Sequence, residues 1–196
     1  LPNYQVFDER RYFVSGREAG LGPVVVDVLG WRVGLLVCED AWFDEPAQAA
    51  LSQGAQALVV INASPFHAGK RGERETRMGD RARAMGLPLV YAHLTGGQDE
   101  VVFDGASFAV NAQGQVCARA RSFEDEILHA HLQPGGAVQG EVAAPLSDEA
   151  EIWAALVCGV RDYVGKNGFP GTIIGLSGGI DSALVLAIAV DALGAD

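Results

Sequence analysis

The chain has 196 residues, of which 49% are hydrophobic and 20% are charged, and its formal net charge is −11 at pH 7. This apolar content supports a packed core and excludes an intrinsically disordered chain, whereas the acidic balance argues against nucleic acid as a partner. No apolar run reaches the length of a membrane-spanning helix, and the three cysteines follow neither a disulfide nor a zinc spacing, so we expect a cytoplasmic protein without a membrane partner.

The first third of the chain is predicted to alternate strands and helices. Residues 1–13 show no clean period and are predicted to form a shaped loop that is rich in aromatic side chains. Two apolar runs within residues 23–37 predict a hairpin, and the second run ends directly before Cys38. A helix over residues 44–53 and a strand over residues 57–61 are expected next.

The middle of the chain is predicted to continue with one helix and several strands. A basic helix spans residues 69–85, and most of its charged side chains are predicted to form a solvated face because acids are interleaved. Strands are expected over residues 89–93, 107–110, 115–120 and 125–132. This order of elements predicts an α/β sandwich of sheets covered by helices.

The last third is predicted to begin a second domain. Residues 133–146 are rich in turn formers and are predicted to be a linker between a first domain, residues 1–132, and a second domain, residues 147–196. A helix is expected from Ser147, where acids fill its first turn, to the residue before Gly168.

Residues 172–194 predict a strand, a glycine turn and a helix in the order of a phosphate-binding loop. Residues 172–174 are predicted to be a buried strand, and the helix that follows the turn is predicted to be buried as well. Gly178 and Gly179 let a ligand touch the backbone, and the helix amino terminus offers unpaired N–H groups to an anion. The stretch matches neither the P-loop nor the dinucleotide fingerprint. An ordinary glycine turn with Asp181 as the helix cap is the alternative.

Cys38 is the best candidate for a nucleophile. It follows a strand and precedes a helix, and such a bend exposes a side chain and places helix N–H groups beside it, which lowers the pKa of a thiol. The neighbouring Glu39 and Asp40 act in the opposite direction, so a cation from elsewhere would be needed. Cys117 and Cys158 are predicted to be small core residues.

Four motifs carry a resemblance to known families. LPNYQVFDERRYF, VCEDAW and INASPF resemble the glutaminase domain of the nitrilase superfamily, and SGGIDS resembles the pyrophosphate-binding loop of N-type ATP pyrophosphatases. Together they are similar to the family of glutamine-dependent NAD+ synthetases. The resemblance implies the C-terminal part of a nitrilase-like αββα sandwich, followed by the first helix, strand, loop and helix of a Rossmann-like domain. We therefore expect an internal piece of a longer protein.

The resemblance also implies two reactions. Cys38 would attack the glutamine side-chain amide, form a thioester and release ammonia, and the ammonia would amidate deamido-NAD+ that ATP has adenylated. Glu9 matches a supporting catalytic residue, whereas the family's base and lysine would precede Leu1, so the chain alone is expected to be inactive. The positions that match glutamine-binding residues are Tyr4, Phe7, Glu39, Ser64 and Lys70.

The implied ATP site lies in the glycine turn. Its phosphate-binding residues would be Ser177, Gly178, Gly179, Asp181 and Ser182, with Asp181 also holding Mg2+. The resemblance further implies a homo-oligomer whose other partners are the small molecules glutamine, ATP and deamido-NAD+.

Several alternatives stay open. Tyr4 and Phe7 would equally suit a core, and Ser64 could simply cap a turn before Pro65. The chain could also belong to another nitrilase-like amidohydrolase or amidotransferase with a different adenylated substrate, or to a scaffold whose glutaminase half is degenerate.

Overall fold

The chain forms a mixed α/β structure, which a computed structural model describes for residues 11–195. The strands are β1 Val24–Val28, β2 Trp31–Val37, β3 Ala57–Asn62, β4 Leu89–His93, β5 Thr95–Gln98, β6 Val101–Asp104, β7 Phe108–Val110, β8 Val116–Arg119, β9 Ala130–Leu132 and β10 Val138–Gly140. The helices are α1 Asp44–Ser52, α2 Lys70–Met85, α3 Asp148–Lys166 and α4 Ile180–Leu193. The helices predicted over residues 44–53 and 69–85 are thereby confirmed to within one residue at each end.

Six strands form the main sheet in the order β1-β2-β3-β4-β7-β8. β2, β3 and β4 run parallel, so their carboxyl ends meet at one edge of the sheet, and the other pairings are antiparallel. The hairpin predicted over residues 23–37 is confirmed as β1 and β2. Its turn passes through Leu29 and Gly30, whose φ angles are 49° and 86°, because a two-residue turn of this left-handed kind matches the twist of the strands.

The main core lies between this sheet and helices α1 and α2. Leu58, Val60 and Leu89 contribute fully buried side chains from the parallel strands. Met78 and Ala82 contribute the facing side chains of α2, and their spacing of four residues gives that helix one apolar stripe.

The opposite face of the sheet is covered at β7 and β8 by the small sheet of β9 and β10, while Leu35 and Ile61 on the same face of β2 and β3 are exposed. Successive residues of a strand point to opposite faces, so Phe108 and Val110 join the main core while Ala109 points away from it. Ala109 and Ala118 pack there against Val138 of β10.

The segment predicted to be a featureless linker, residues 133–146, contains β10. Its next residues also bond to β8, since the Arg119 N–H donates to the Glu141 carbonyl at 2.8 Å and the Ala143 N–H donates to the Arg119 carbonyl at 3.0 Å. The preceding strand is shorter than the predicted residues 125–132, because the Glu126 carboxylate turns back to accept the Arg121 N–H at 2.8 Å.

The prediction of a buried strand over residues 172–174 is wrong for the described part of the chain. These residues form no strand, and Ile173 is fully exposed. A strand needs a neighbouring strand to satisfy its backbone, and no described strand pairs with this one. For the same reason the prediction of a buried helix α4 is wrong here, since Ile188 is its one buried residue.

Helix α3 connects the two halves of the described chain. It packs against α4 on one side and against the hairpin of β5 and β6 on the other. Ser147 caps its amino terminus by accepting the Ala150 N–H at 3.3 Å, as its sequence predicts. Between residues 11 and 195, the structure contains no helix long and apolar enough to cross a membrane.

Candidate active site

Cys38 is the first residue of a 3-10 turn, Cys38–Trp42, that follows β2 directly. Its φ angle is +46°, a left-handed conformation that side chains other than glycine rarely adopt. The predicted strand-to-helix bend is therefore present. The turn is held by the Asp40 carboxylate, which accepts the Val37 N–H at 3.0 Å. Burial raises the pKa of Asp40, although this hydrogen bond acts in the opposite direction.

The carboxyl ends of β2, β3 and β4 place three polar residues side by side. Val37 pairs with Ile61 across β2 and β3, so Cys38 follows beside Asn62, and Asn62 in turn pairs with His93. In proteins with parallel sheets, ligands bind at the carboxyl ends of the strands. Asn62 is only 8% exposed, and neither of its side-chain polar atoms has a hydrogen-bond partner within residues 11–195.

Beneath this edge lies a buried polar cluster of Arg74, His93 and Asp104. Arg74 and Asp104 are 2% and 0% exposed, and they form an ion pair. The Arg74 guanidinium also lies 2.9 Å from His93 Nε2. Because a guanidinium can only donate, Nε2 must accept, and Nδ1–H must donate to the Gly105 carbonyl at 3.0 Å.

This cluster keeps His93 neutral. Burial lowers the pKa of His93 to about 4, and repulsion by the Arg74 guanidinium adds to the shift. The neutral ring can then accept the Ser64 N–H at Nε2, over 3.2 Å. His93 thus holds the loop that carries a predicted glutamine-binding residue.

Sequence reasoning missed this cluster. The basic helix was predicted to present most of its charges to solvent, yet Arg74 and Arg81 are 2% and 6% exposed. The signal that could have identified them is their spacing, because they share the stripe of Met78 and Ala82 on α2.

Lys70 lies at the first position of α2, and its ammonium already has partners. Its Nζ atom is 3.0 Å from a Glu73 carboxylate oxygen and 4.2 Å from the centre of the Trp42 ring. The hydrogen bond from Lys70 lowers the pKa of Glu73. The Arg77 guanidinium lies 4.7 Å from the same ring, so the indole is in contact with two cations.

The remaining predicted residues of this site are only partly described. Glu39 is half-buried in the 3-10 turn. Tyr4, Phe7 and Glu9 lie outside the described residues.

The predicted ATP loop is folded around two hydroxyls. The Ser182 hydroxyl accepts the Ser177 N–H at 3.3 Å, lies 3.1 Å from the Ser177 hydroxyl, and donates to the Gly179 carbonyl at 3.0 Å. Gly178 has a φ angle of +85°, and Gly179 is the residue that precedes α4. Asp181 is exposed in the first turn of that helix.

The residues of this loop fit Mg2+ in one respect. Mg2+ is commonly held by one or two carboxylates together with phosphate oxygens of the substrate, and Asp181 places one carboxylate beside this loop. Within the described residues, no group of three or more His, Cys, Asp or Glu side chains is placed to form an all-protein metal site.

Two family models match the chain. The carbon–nitrogen hydrolase model matches residues 1–160, and the NAD synthase model matches residues 152–196. Among curated proteins, a glutamine-dependent NAD(+) synthetase from Xylella fastidiosa (strain Temecula1) is 47% identical over 200 residues and covers 100% of this chain. The corresponding protein from Acinetobacter baylyi is 41% identical over 198 residues. The chain spans 36% of the length of each of these two relatives.

The chain is also similar to solved structures of an NAD+ synthetase and of an amidase. A glutamine-dependent NAD+ synthetase from Acinetobacter baumannii, in complex with ADP, matches with a TM-score of 0.92 and 42% identity, over 100% of this chain and 37% of that one. An amidase from Nesterenkonia sp. AN1 that carries a covalent acetamide adduct on its active-site cysteine matches with a TM-score of 0.54 and 30% identity. That match covers 62% of this chain and 44% of the amidase.

Proposed function

Since the chain belongs to the carbon–nitrogen hydrolase family, we propose that it contributes the nucleophile of a glutaminase, Cys38. The observation that carries this assignment is the position of Cys38, which has a left-handed backbone conformation and lies at the carboxyl ends of three parallel strands. The Cys38 thiol gives its proton to a base and attacks the carbonyl carbon of the glutamine side-chain amide. The C–N bond then breaks as the leaving nitrogen takes up that proton, and ammonia departs. Water then hydrolyses the thioester to glutamate.

The glutamine pocket is built from residues near that edge. Ser64 lies in the loop after β3, and Glu39 lies in the turn of Cys38 itself. The Lys70 ammonium pairs with the α-carboxylate of glutamine, which has to compete with Glu73 for it. Tyr4 and Phe7 complete the pocket, and Glu9 supports the catalytic groups.

The second half of the proposal concerns ATP. The N–H groups around Gly178 and Gly179 and the hydroxyls of Ser177 and Ser182 bind the phosphates at the start of α4. Asp181 holds Mg2+, which neutralises phosphate charge when it is bound. The acceptor is the carboxylate of deamido-NAD+, which attacks the α-phosphorus of ATP to form an adenylate and release pyrophosphate. Ammonia then displaces AMP from the adenylate to give NAD+.

The whole reaction would take place in a longer polypeptide. The chain supplies about a third of the length of its relatives, so we assign it the C-terminal part of a glutaminase domain over residues 1–132. Residues 133–146 lead on from this domain while β10 still packs against it, and residues 147–196 form the beginning of a synthetase domain. We place this protein in the cytoplasm as a homo-oligomer.

A chimera tests the proposal. Residues 1–196 replace the segment they match in the Xylella fastidiosa relative, and NAD+ is assayed with ATP, Mg2+, deamido-NAD+ and either glutamine or ammonia. Cys38→Ala should abolish synthesis from glutamine and leave synthesis from ammonia. If Cys38→Ala still uses glutamine, the nucleophile is misassigned. If the chimera makes no NAD+ from either nitrogen source while the unmodified relative does, the assignment of the ATP loop is wrong.

A further inference from the structure

The hairpin of β5 and β6 lies between helix α3 and the loop of residues 62–66. Gly97 of β5 pairs with Val102 of β6. The Gly97 N–H donates to the Asp162 carboxylate of α3 at 2.7 Å, and the Gly97 carbonyl accepts from Lys166 Nζ of α3 at 2.5 Å. Both main-chain groups of Gly97 therefore point away from β6, as they do in a non-hydrogen-bonded pair of an antiparallel ladder.

The outer edge of β6 holds the loop. In the same pair, the Val102 carbonyl also points outward, and it accepts the Phe66 N–H at 2.7 Å. Two residues before Phe66, the Ser64 N–H is bound by His93. The hairpin is two strands wide, about 5 Å between strand axes, so it forms a short link between its hydrogen bonds to α3 on one edge and its hydrogen bond to the loop of Ser64 on the other.

A small apolar cluster joins the same three elements independently of these hydrogen bonds. Its buried members are Phe123 together with Ala155 and Cys158 of α3, and Phe66 and Val102 pack against them. The rings of Phe66 and Phe123 meet edge to face, with their centroids 5.5 Å apart.

The contact between α3 and β5 is close because glycines face each other. A Cβ atom on Gly97 would lie 3.4 Å from the Gly159 Cα atom and 3.2 Å from the Asp162 Cβ atom. α3 also reaches the start of α2, since Glu151, 3% exposed, lies 3.5 Å from Arg71 Nε. Arg71 follows Lys70 and Phe66 lies two residues after Ser64, so α3 contacts residues close to two of the proposed glutamine-binding residues.

We propose that α3 is a supporting wall of the glutamine site, and that Asp162 and Lys166 are positioning residues for the loop that carries Ser64. Asp162 and Lys166 lie in the part of α3 that only the NAD synthase model matches, whereas residues 148–160 of this helix match the carbon–nitrogen hydrolase model. A helix of the proposed synthetase half thus sets the affinity of the glutaminase half for its substrate. This inference rests on the proposed function, because it takes glutamine to be the ligand of that loop.

α3 should affect the binding of glutamine more than the rate of its hydrolysis. Its contacts lead to the loop of Ser64 and to the neighbour of Lys70, and none of those described above leads directly to Cys38. Loss of two hydrogen bonds that hold the loop should therefore raise the KM for glutamine about tenfold, with kcat within about twofold.

The experiment compares three variants of the chimera. Asp162→Ala with Lys166→Ala removes both contacts to Gly97. Asp162→Asn with Lys166→Arg keeps one acceptor and one donor. Glu149→Gln is the matched control, because Glu149 is an exposed carboxylate on the same helix. KM and kcat for glutamine hydrolysis are measured, together with hydrogen–deuterium exchange of the peptide that contains residues 62–66.

We expect the double alanine variant to show the higher KM and faster exchange in this peptide. The conservative double variant should recover a KM within about threefold of the parent, and Glu149→Gln should change neither readout. An unchanged KM with unchanged exchange overturns the inference. A fall in kcat alone also overturns it, since that result reports only a smaller folded fraction.

Exchange separates this inference from the proposed function. If the unmodified chimera hydrolyses no glutamine, the proposed function has failed. Faster exchange at residues 62–66 in the double alanine variant would still support α3 as the wall of that loop, whereas unchanged exchange would overturn that role too.

Discussion

Arg74 donates a hydrogen bond of 2.9 Å to His93 Nε2, and this bond fixes the tautomer of an imidazole that burial keeps neutral. His93 lies at the end of β4, next to the strand that ends beside Cys38, and it holds the main chain of Ser64. A buried cation and a neutral ring therefore support the edge of the sheet on which the proposed chemistry depends.

The first prediction concerns pH. The folded pKa of His93 is about 4, below the ordinary value of 6.5, so the unfolded chain binds more protons between these two values. The stability that this shift provides is complete above pH 6.5 and is lost as the pH falls towards 4. The shift corresponds to about 3 kcal/mol in the free energy of unfolding.

Denaturant unfolding of the chimera at several pH values checks this prediction. His93→Gln offers an acceptor and a donor but does not titrate in this range. The difference in unfolding free energy between parent and variant should shrink as the pH falls from 6.5 to 4. A constant difference across that range would contradict the assignment of a neutral, buried His93.

The second prediction concerns Arg74. Arg74→Met leaves the Asp104 carboxylate buried without its cation, which should cost about 3–5 kcal/mol of unfolding free energy. Arg77→Met on the same helix is the control, because the side chain of Arg77 is 48% exposed and pairs with Glu73 at 4.0 Å, and exposed pairs are worth about 1 kcal/mol or less. Equal losses in the two variants, measured by urea unfolding, would show that the Arg74 cluster is not a stabilising network.

The third prediction concerns Lys70 and Glu73. Lys70→Met should raise the KM for glutamine about 10- to 100-fold, because a hydrogen bond to a charged group contributes about 1.5–3 kcal/mol. Glu73→Gln should lower that KM or leave it unchanged, since it removes the carboxylate that competes for the ammonium. Steady-state glutamine hydrolysis by the chimera measures both. An increase in KM with Glu73→Gln as large as that with Lys70→Met would indicate that the ion pair itself, and not the free ammonium, shapes the pocket.

The fourth prediction concerns the ATP loop. A Cβ atom on Gly178 would meet no other atom within 4 Å, so Gly178→Ala acts only through its left-handed φ angle of +85°. That strain costs about 1–2 kcal/mol, and we expect the Kd for ATP to rise about tenfold. Gly175→Ala is the control, because Gly175 also has open space around it but lacks a left-handed φ. If calorimetric titration with ATP finds equal Kd values for both variants, the left-handed conformation of Gly178 does not contribute to ATP binding.

Much of the fold could be predicted from the sequence because its signals are local. The α/β class is confirmed, as a carbon–nitrogen hydrolase domain followed by the start of an NAD synthase domain. The hairpin of β1 and β2 and the bend at Cys38 are each encoded within a few residues, by an apolar run and its interruption.

The buried cluster could not be predicted in the same way. Arg74 and Asp104 are 30 positions apart and lie on different elements, so nothing local indicates that they pair.

Residues 172–174 show the opposite failure. Their apolar, β-branched sequence is typical of a strand, but a strand also depends on a partner, and no described residue provides one.

The left-handed backbone at Cys38 limits which residues could replace the thiol as the nucleophile during evolution. Serine has an unbranched β-carbon, so at a φ angle of +46° its backbone would be strained no more than that of cysteine. Threonine is branched at that carbon and is a genuine outlier in this region of backbone space. A hydroxyl enzyme could therefore descend from this framework through serine, whereas the route through threonine would first require the turn after β2 to be rebuilt.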